Sequence, residues 1–251
     1  MSDVEFENQR IVFKEKNYKK IKCYNPGTSS PTWHVKREKD SKDFVIKIIE
    51  KESCVFHRNK EIPREFKILQ DLKKFGRKDI VKAFEWSYVK GRVLILFEHI
   101  QDFKTLLMPE SMIKKVFKNI ATAVAFLHEN KYAHGDLKLD NVIVKEDRTI
   151  VLIDFQDSCR IDEDKEVYIT GRILSKEDPM IPVKEGIDRV EEDQEVSVKT
   201  DIEKLYNILV EFKWNGAKSA EFLAFSDWFK DYHKKDEVSL KDVFLQAYVY
   251  L

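Results

Sequence analysis

Two short stretches of the sequence carry groups that could act together on a phosphoryl group. They are Tyr132-Ala-His-Gly-Asp-Leu-Lys-Leu-Asp-Asn-Val-Ile-Val144 and Val151-Leu-Ile-Asp-Phe-Gln156. A His-x-Asp triplet alone reads as a polar turn after a helix. The spacing around this one changes that reading, because Asp136, Lys138 and Asn141 crowd one short loop and Asp154 ends the next apolar run. Phosphoryl transfer needs such a set: a carboxylate to orient the attacking hydroxyl, a cation for the transferring group, and oxygen ligands for Mg²⁺.

The elements that must position this loop can be read around it. Upstream, Ile113, Val116, Phe117, Ile120, Val124 and Leu127 recur at helical spacing, with Ser111 expected as the N-cap and the stripe ending before His128. Downstream, Val142-Ile-Val144 and Ile150-Val-Leu-Ile153 flank the charged turn Lys145-Glu-Asp-Arg148 and predict a hairpin. Asp201 to Phe212 and Leu240 to Leu251 predict further helices. In the first half, Phe44-Val-Ile-Lys-Ile-Ile49 and Arg92-Val-Leu-Ile-Leu-Phe97 have strand length and β-branched composition, with Lys90-Gly91 as a turn. Between them Ile62, Phe66, Leu69 and Leu72 predict a helix with Pro63 in its first turn. From Ser175 to Lys199 periodicity fades and acidic residues dominate, which predicts a long loop.

With these elements in order, the chain resembles the eukaryotic protein kinase superfamily. His134-Gly-Asp-Leu-Lys-Leu-Asp-Asn141 is similar to the catalytic loop H-R-D-L-K-x-x-N, and Asp154-Phe-Gln156 stands where that family has D-F-G. The resemblance implies an α+β, two-lobed fold: a small sheet lobe with one helix over about 1–98, a hinge at about 98–104, and a larger, mainly helical lobe over about 105–251. It implies Mg-ATP as phosphate donor and a protein serine or threonine as acceptor, the lysine at 138 being the mark of the Ser/Thr class. Asp136 and Lys138 would then be catalytic, and Asn141 and Asp154 would hold the metal. Lys47, at the end of Val45-Ile-Lys47, would contact the α- and β-phosphates and pair with Glu65, with Glu61 in reserve. Gly27 and Val35 would belong to the phosphate-covering loop, Glu98 and Ile100 to the adenine-binding hinge, with Phe97 as gatekeeper. Asp201 would anchor the catalytic loop backbone.

The departures from that pattern have their own implications. The segment Gly27-Thr-Ser-Ser-Pro-Thr-Trp-His-Val35 holds one glycine where the family has three, so side chains limit how closely backbone N–H groups approach a phosphate. Gln156 replaces a glycine, which should restrict local flipping more than metal binding. Gly135 replaces the arginine that reads an activation-loop phosphate, and no A-P-E sequence lies between Asp154 and Asp201. Activity without phosphorylation of that segment is the expectation. Two rivals stay open: a small-molecule phosphotransferase of the aminoglycoside or choline kinase type, which Asp154-Phe-Gln-Asp157 also resembles, and an inactive kinase-fold scaffold.

Composition narrows the classes further. The chain has 251 residues, 43% of them apolar, so it can bury a sizeable core. Forty-five basic residues balance forty-five acidic ones, which argues against nucleic acid or an anionic membrane as partner. In the resembled fold the part of the chain from Glu177 to Glu195 lies beside the bound peptide, so the resemblance together with this acidic run implies a preference for basic protein substrates. Three cysteines with no Cys-x-x-Cys pair argue against a disulfide framework, and the acidic Met1-Ser-Asp-Val-Glu5 start does not read as a signal peptide. An intracellular location is expected; the oligomeric state is not readable.

Overall fold

The computed structural model describes residues 6–7, 9–26, 30–57, 62–103, 108–161, 168–169, 172–173, 197–212, 218–235 and 237–250. The chain divides into two compact units, Met1–Gln101 and Asp102–Leu251. The first is sheet-rich and the second is mainly helical, as expected of the α+β class.

The first unit is one antiparallel sheet of seven strands with a helix on it. In chain order it comprises β1 (Phe6–Glu7), β2 (Arg10–Phe13), β3 (Lys16–Cys23), β4 (Thr32–Arg37), β5 (Asp43–Glu50), α1 (Arg64–Lys73), β6 (Ala83–Val89) and β7 (Arg92–Glu98). The spatial order is β1-β2-β3-β4-β5-β7-β6. Strands β5 and β7 are each flanked by a strand on both sides, and their β-branched residues are buried on both faces, Ile46 and Ile95 completely. Lys90 and Gly91 both take positive φ, 49° and 80°, and form the tight turn into β7. The sheet curls on itself: Lys16 in β3 reaches Glu85 in β6 at 2.9 Å although β4, β5 and β7 intervene. Inside the curl, Ile11, Phe13, Tyr18, Val35, Ile46, Ile48, Leu94 and Leu96 share one core. Pro63 is the N-cap of α1 and not part of its first turn, since its ψ of 132° is extended. The buried side of α1 is Glu65, Ile68, Leu69 and Leu72, with Ile62 and Phe66 only partly covered.

The second unit runs α2 (Glu110–Glu129), β8 (Tyr132–Ala133), β9 (Val142–Val144), β10 (Ile150–Leu152), β11 (Cys159–Arg160), β12 (Tyr168–Ile169), β13 (Arg172–Ile173), α3 (Val198–Glu211), α4 (Ala220–Tyr232) and α5 (Leu240–Tyr250). Every member of the predicted α2 stripe is buried. Phe117 meets the rings of Phe225 and Phe229 edge-on at 5.8 and 6.2 Å, which docks α4. Ser111 does not cap α2; it lies within the helix, whose N-cap is Pro109, two residues earlier. The predicted hairpin forms from β9 and β10, with Val142 opposite Leu152. Ser197 caps α3 by accepting from Thr200 N at 3.2 Å. The three cysteines form no disulfide. Among the described residues no helix is long and apolar enough to cross a membrane. The acidic run from Glu177 to Glu195 lies outside the described residues.

Candidate active site

In the sheet unit the register of β5 sets where each predicted residue points. Lys47 pairs with Thr32 on one side and Ile95 on the other, and alternation puts it on the face opposite Ile46 and Ile48. Its Nζ donates to Glu65 Oε2 at 3.0 Å, with the lysine 7% and the glutamate 4% exposed. A buried pair of this kind is costly to break, because the remaining charge has no compensation. Nearby, burial and the charge of Glu65 push the Cys54 thiol up to about 12, so it stays protonated.

The same register moves one expected residue away. Val35 pairs with Phe44 and lies fully buried inside the curl, on the face opposite Lys47. Its side chain is core. The β4 residue that pairs with Val45, on the face of Lys47, is His34, which bonds Asp43 at 2.7 Å and stacks on His99 at a centroid distance of 4.0 Å. Glu98 ends β7, and its backbone N–H donates to Lys82 O. Ile100 follows as partly exposed coil and Phe97 is buried. Gly27 and Glu61 lie outside the described residues.

In the helical unit, α2 delivers the chain into the loop that carries Asp136. Asn130 closes the helix by bonding back to Phe126 O, and Lys131 takes φ 65°, a left-handed turn that sends the chain into β8. His134 follows, wholly buried. Its Nδ1 accepts from Asp136 N at 3.3 Å and its Nε2 lies 3.1 Å from Ile153 O, so the ring carries its proton on Nε2. Burial lowers its pKa and keeps it neutral. One imidazole thus ties the backbone of Asp136 to the residue preceding Asp154, and the ring of Phe155 leans against it at 4.7 Å.

Three predicted residues meet on this loop. Asp136 Oδ2 accepts from Lys138 Nζ at 2.6 Å and from Asn141 Nδ2 at 2.9 Å, and Oδ1 takes neither bond. Burial by itself would lower the Lys138 pKa, but the hydrogen bond and charge of Asp136, with Asp154 and Asp140 nearby, raise it. Asn141 Nδ2 also donates to Asp136 O at 2.8 Å. Both acceptors require the nitrogen there, so the amide oxygen is the end left for a cation. Asp154 takes φ 62°, a conformation an aspartate tolerates better than most side chains. The unusual φ thus falls on Asp154 itself. Mg²⁺ ordinarily takes one or two carboxylates plus phosphate oxygens, so an aspartate and an amide oxygen suit it. Among the described residues no three His, Cys, Asp or Glu side chains converge as an all-protein metal centre.

Other residues hold the loop from behind. Asp201 is completely buried; its Oδ2 accepts from His134 N at 2.7 Å and its Oδ1 from Gly135 N at 3.0 Å. His128 Nε2 lies 2.9 Å from Asp201 Oδ2. Burial would raise the Asp201 pKa, yet the His128 bond and charge, with the His134 N–H, hold it below the usual range. Ser158 Oγ donates to His134 O at 2.7 Å, and Lys204 Nζ donates to Gly135 O. Ser158 and Lys204 carry no motif. Their only mark in the sequence is proximity, Lys204 one helical turn beyond Asp201.

The family model described as the protein kinase domain matches residues 18–177, more than half of the chain. Among curated relatives, a CBL-interacting serine/threonine-protein kinase 15 of Arabidopsis thaliana is 26% identical over 145 residues, covering 55% of this chain and 34% of its own length. A MAP kinase-interacting serine/threonine-protein kinase 1 of Xenopus tropicalis is 33% identical over 113 residues, covering 41% and 26%. A probable bifunctional tRNA threonylcarbamoyladenosine biosynthesis protein of Methanosphaera stadtmanae is 35% identical over 106 residues, covering 41% and 18%. The chain therefore spans about a third or less of the length of these relatives. Among solved structures, the BubR1 kinase domain is similar in fold, with a TM-score of 0.67 at 13% identity over 97% of this chain and 83% of that one.

Proposed function

We propose, from the premise that this chain belongs to the protein kinase domain family, that it transfers the γ-phosphate of ATP to a serine or threonine hydroxyl of a protein. The observation that carries this reading is the bonding of Asp136: one carboxylate oxygen held by Lys138 and Asn141, the other left for a hydroxyl. In this reading Asp136 orients the hydroxyl and takes its proton. Lys138 meets the γ-phosphate, which its raised pKa supports by keeping it cationic. Lys47, held by Glu65, contacts the α- and β-phosphates. The carbonyl of Glu98 and the N–H of Ile100 hold the adenine. Asn141 and Asp154 hold Mg²⁺, which when bound offsets the charge on the phosphate oxygens. The lysine at position 138 and the Ser/Thr kinases among the relatives support protein over small-molecule acceptors.

A preference for basic substrates, supported by the acidic run between Glu177 and Glu195, and an intracellular site of action belong to the same proposal. The test is incubation with γ-labelled Mg-ATP and a panel of casein, histone, a basic serine peptide, an aminoglycoside and choline. Label on protein serine or threonine is expected. Label confined to a small molecule would overturn the acceptor class, and label nowhere would leave a nucleotide-binding scaffold.

A further inference from the structure

The loop before Asp136 is fixed by side chains to an unusual degree. The peptide joining His134 to Gly135 is held at its oxygen by Ser158 Oγ and at its nitrogen by Asp201 Oδ1. The next peptide, joining Gly135 to Asp136, is held at its oxygen by the Lys204 ammonium and at its nitrogen by His134 Nδ1. Beyond Asp136, its own carbonyl accepts from Asn141 Nδ2. Backbone groups buried without secondary structure need partners of this kind, and here side chains supply all of them.

Gly135 explains why the clamp on the second peptide matters. It sits at φ 83°, and a glycine occupies the mirrored wells about as readily, so the peptide following it can flip at little cost. A flip would reverse Gly135 O, pull Asp136 N away from His134 and re-aim the Asp136 carboxylate. Asp201 and Lys204 lie three residues apart on one face of α3. That helix holds the glycine's N–H with an anion and its C=O with a cation.

We infer that Lys204 is a positioning residue, locking the Gly135–Asp136 peptide so that Asp136 presents its carboxylate in one orientation. The catalytic consequence rests on the kinase reading above; the lock itself does not. The experiment therefore has two arms. In the first, amide hydrogen exchange is followed in the parent, K204M, K204Q and K204R. Exchange at Gly135, Asp136 and Leu137 should quicken on the order of 10-fold or more in K204M, be intermediate in K204Q and stay near parental in K204R, with α3 amides unchanged as the control for folding. In the second, kcat for transfer from Mg-ATP to the basic serine peptide should fall on the order of 10-fold in K204M with KM for ATP within about two-fold, and recover in K204R. Loop exchange in K204M and K204Q identical to the parent overturns the role of Lys204. A parent that transfers no phosphate overturns the kinase reading, and the exchange arm then decides the lock by itself.

Discussion

Asp136 receives two donors on one oxygen and has the other to offer, a division of labour within a single carboxylate. Asp136→Asn keeps the size of the side chain but loses the proton acceptor. We expect phosphoryl transfer to fall by roughly 10²- to 10⁴-fold, the scale of a positioned general base. Nucleotide affinity, measured by calorimetric titration with Mg-ATP, should change little, because the phosphate and metal contacts assigned to Lys47, Asn141 and Asp154 are untouched. A variant as fast as the parent would remove Asp136 from the reaction. His134 acts differently: its burial holds it neutral, and its two nitrogens serve as struts for Asp136 and Ile153.

Among the elements, β4 shows how a register decides which residue can touch a ligand. Val35 and His34 are neighbours, but only His34 shares the face of Lys47. We expect Val35→Ala to lower stability by about 1–3 kcal/mol, as core truncations do, with KM for ATP unchanged. His34→Ala should raise KM for ATP and leave stability nearly intact. The opposite pattern would mean that β4 is paired one residue out of step. The junction of α2 and α4 supplies a second test. Glu110 in the first turn of α2 bonds Lys114 and accepts from Ser219 N at 2.7 Å and Ser219 Oγ at 2.6 Å, at the N-cap of α4. The Lys114 bond first, then Ser219, lowers its pKa to about 2. A carboxyl near 4.3 when unfolded binds more protons in the unfolded state across that window. Its stabilisation is therefore full above about pH 4.5 and lost as pH falls toward 2. Glu110→Gln should cost about 1–2 kcal/mol at pH 7 in urea unfolding, and the gap to the parent should close between about pH 4.5 and 2. A gap independent of pH would assign the effect to packing.

For the whole molecule, a formal charge of zero leaves no global field, so any electrostatic selectivity must come from local runs. The run containing Glu191, Glu192 and Asp193 is the strongest of these in the sequence. Exposed charges are screened within about 8 Å at physiological salt, so its influence requires that the substrate pass close by. Replacing those three with lysine should raise KM for an Arg-rich peptide and weaken its salt dependence. Unchanged ranking of peptides by charge would make the run a solvated surface with no part in selection.

How much was legible varies with how local the signal is. The α2 stripe, β5, β7 and the β9–β10 hairpin were readable because each buries an apolar stripe or a short continuous apolar run, and the His134–Asn141 loop because its polar groups sit within a few consecutive positions. Strands β2 and β3 were not readable. Lys16–Cys23 buries only Tyr18, and the turn before it puts Lys14 and Glu15 at φ 47° and 61° without the glycine or asparagine that usually marks such a turn. Their partners arrive only when the sheet curls. The same holds at the site. Asp136, Lys138, Asn141 and Asp154 could be named from order and spacing, whereas Ser158 and Lys204 become meaningful only once β11 and α3 come beside the loop. The side of β4 that faces Lys47 was likewise settled by pairing, since alternation leaves two faces equivalent until a neighbouring strand fixes which is core. Residue types sufficed to say what chemistry this chain can attempt; long-range pairing decided which backbone groups hold those residues still.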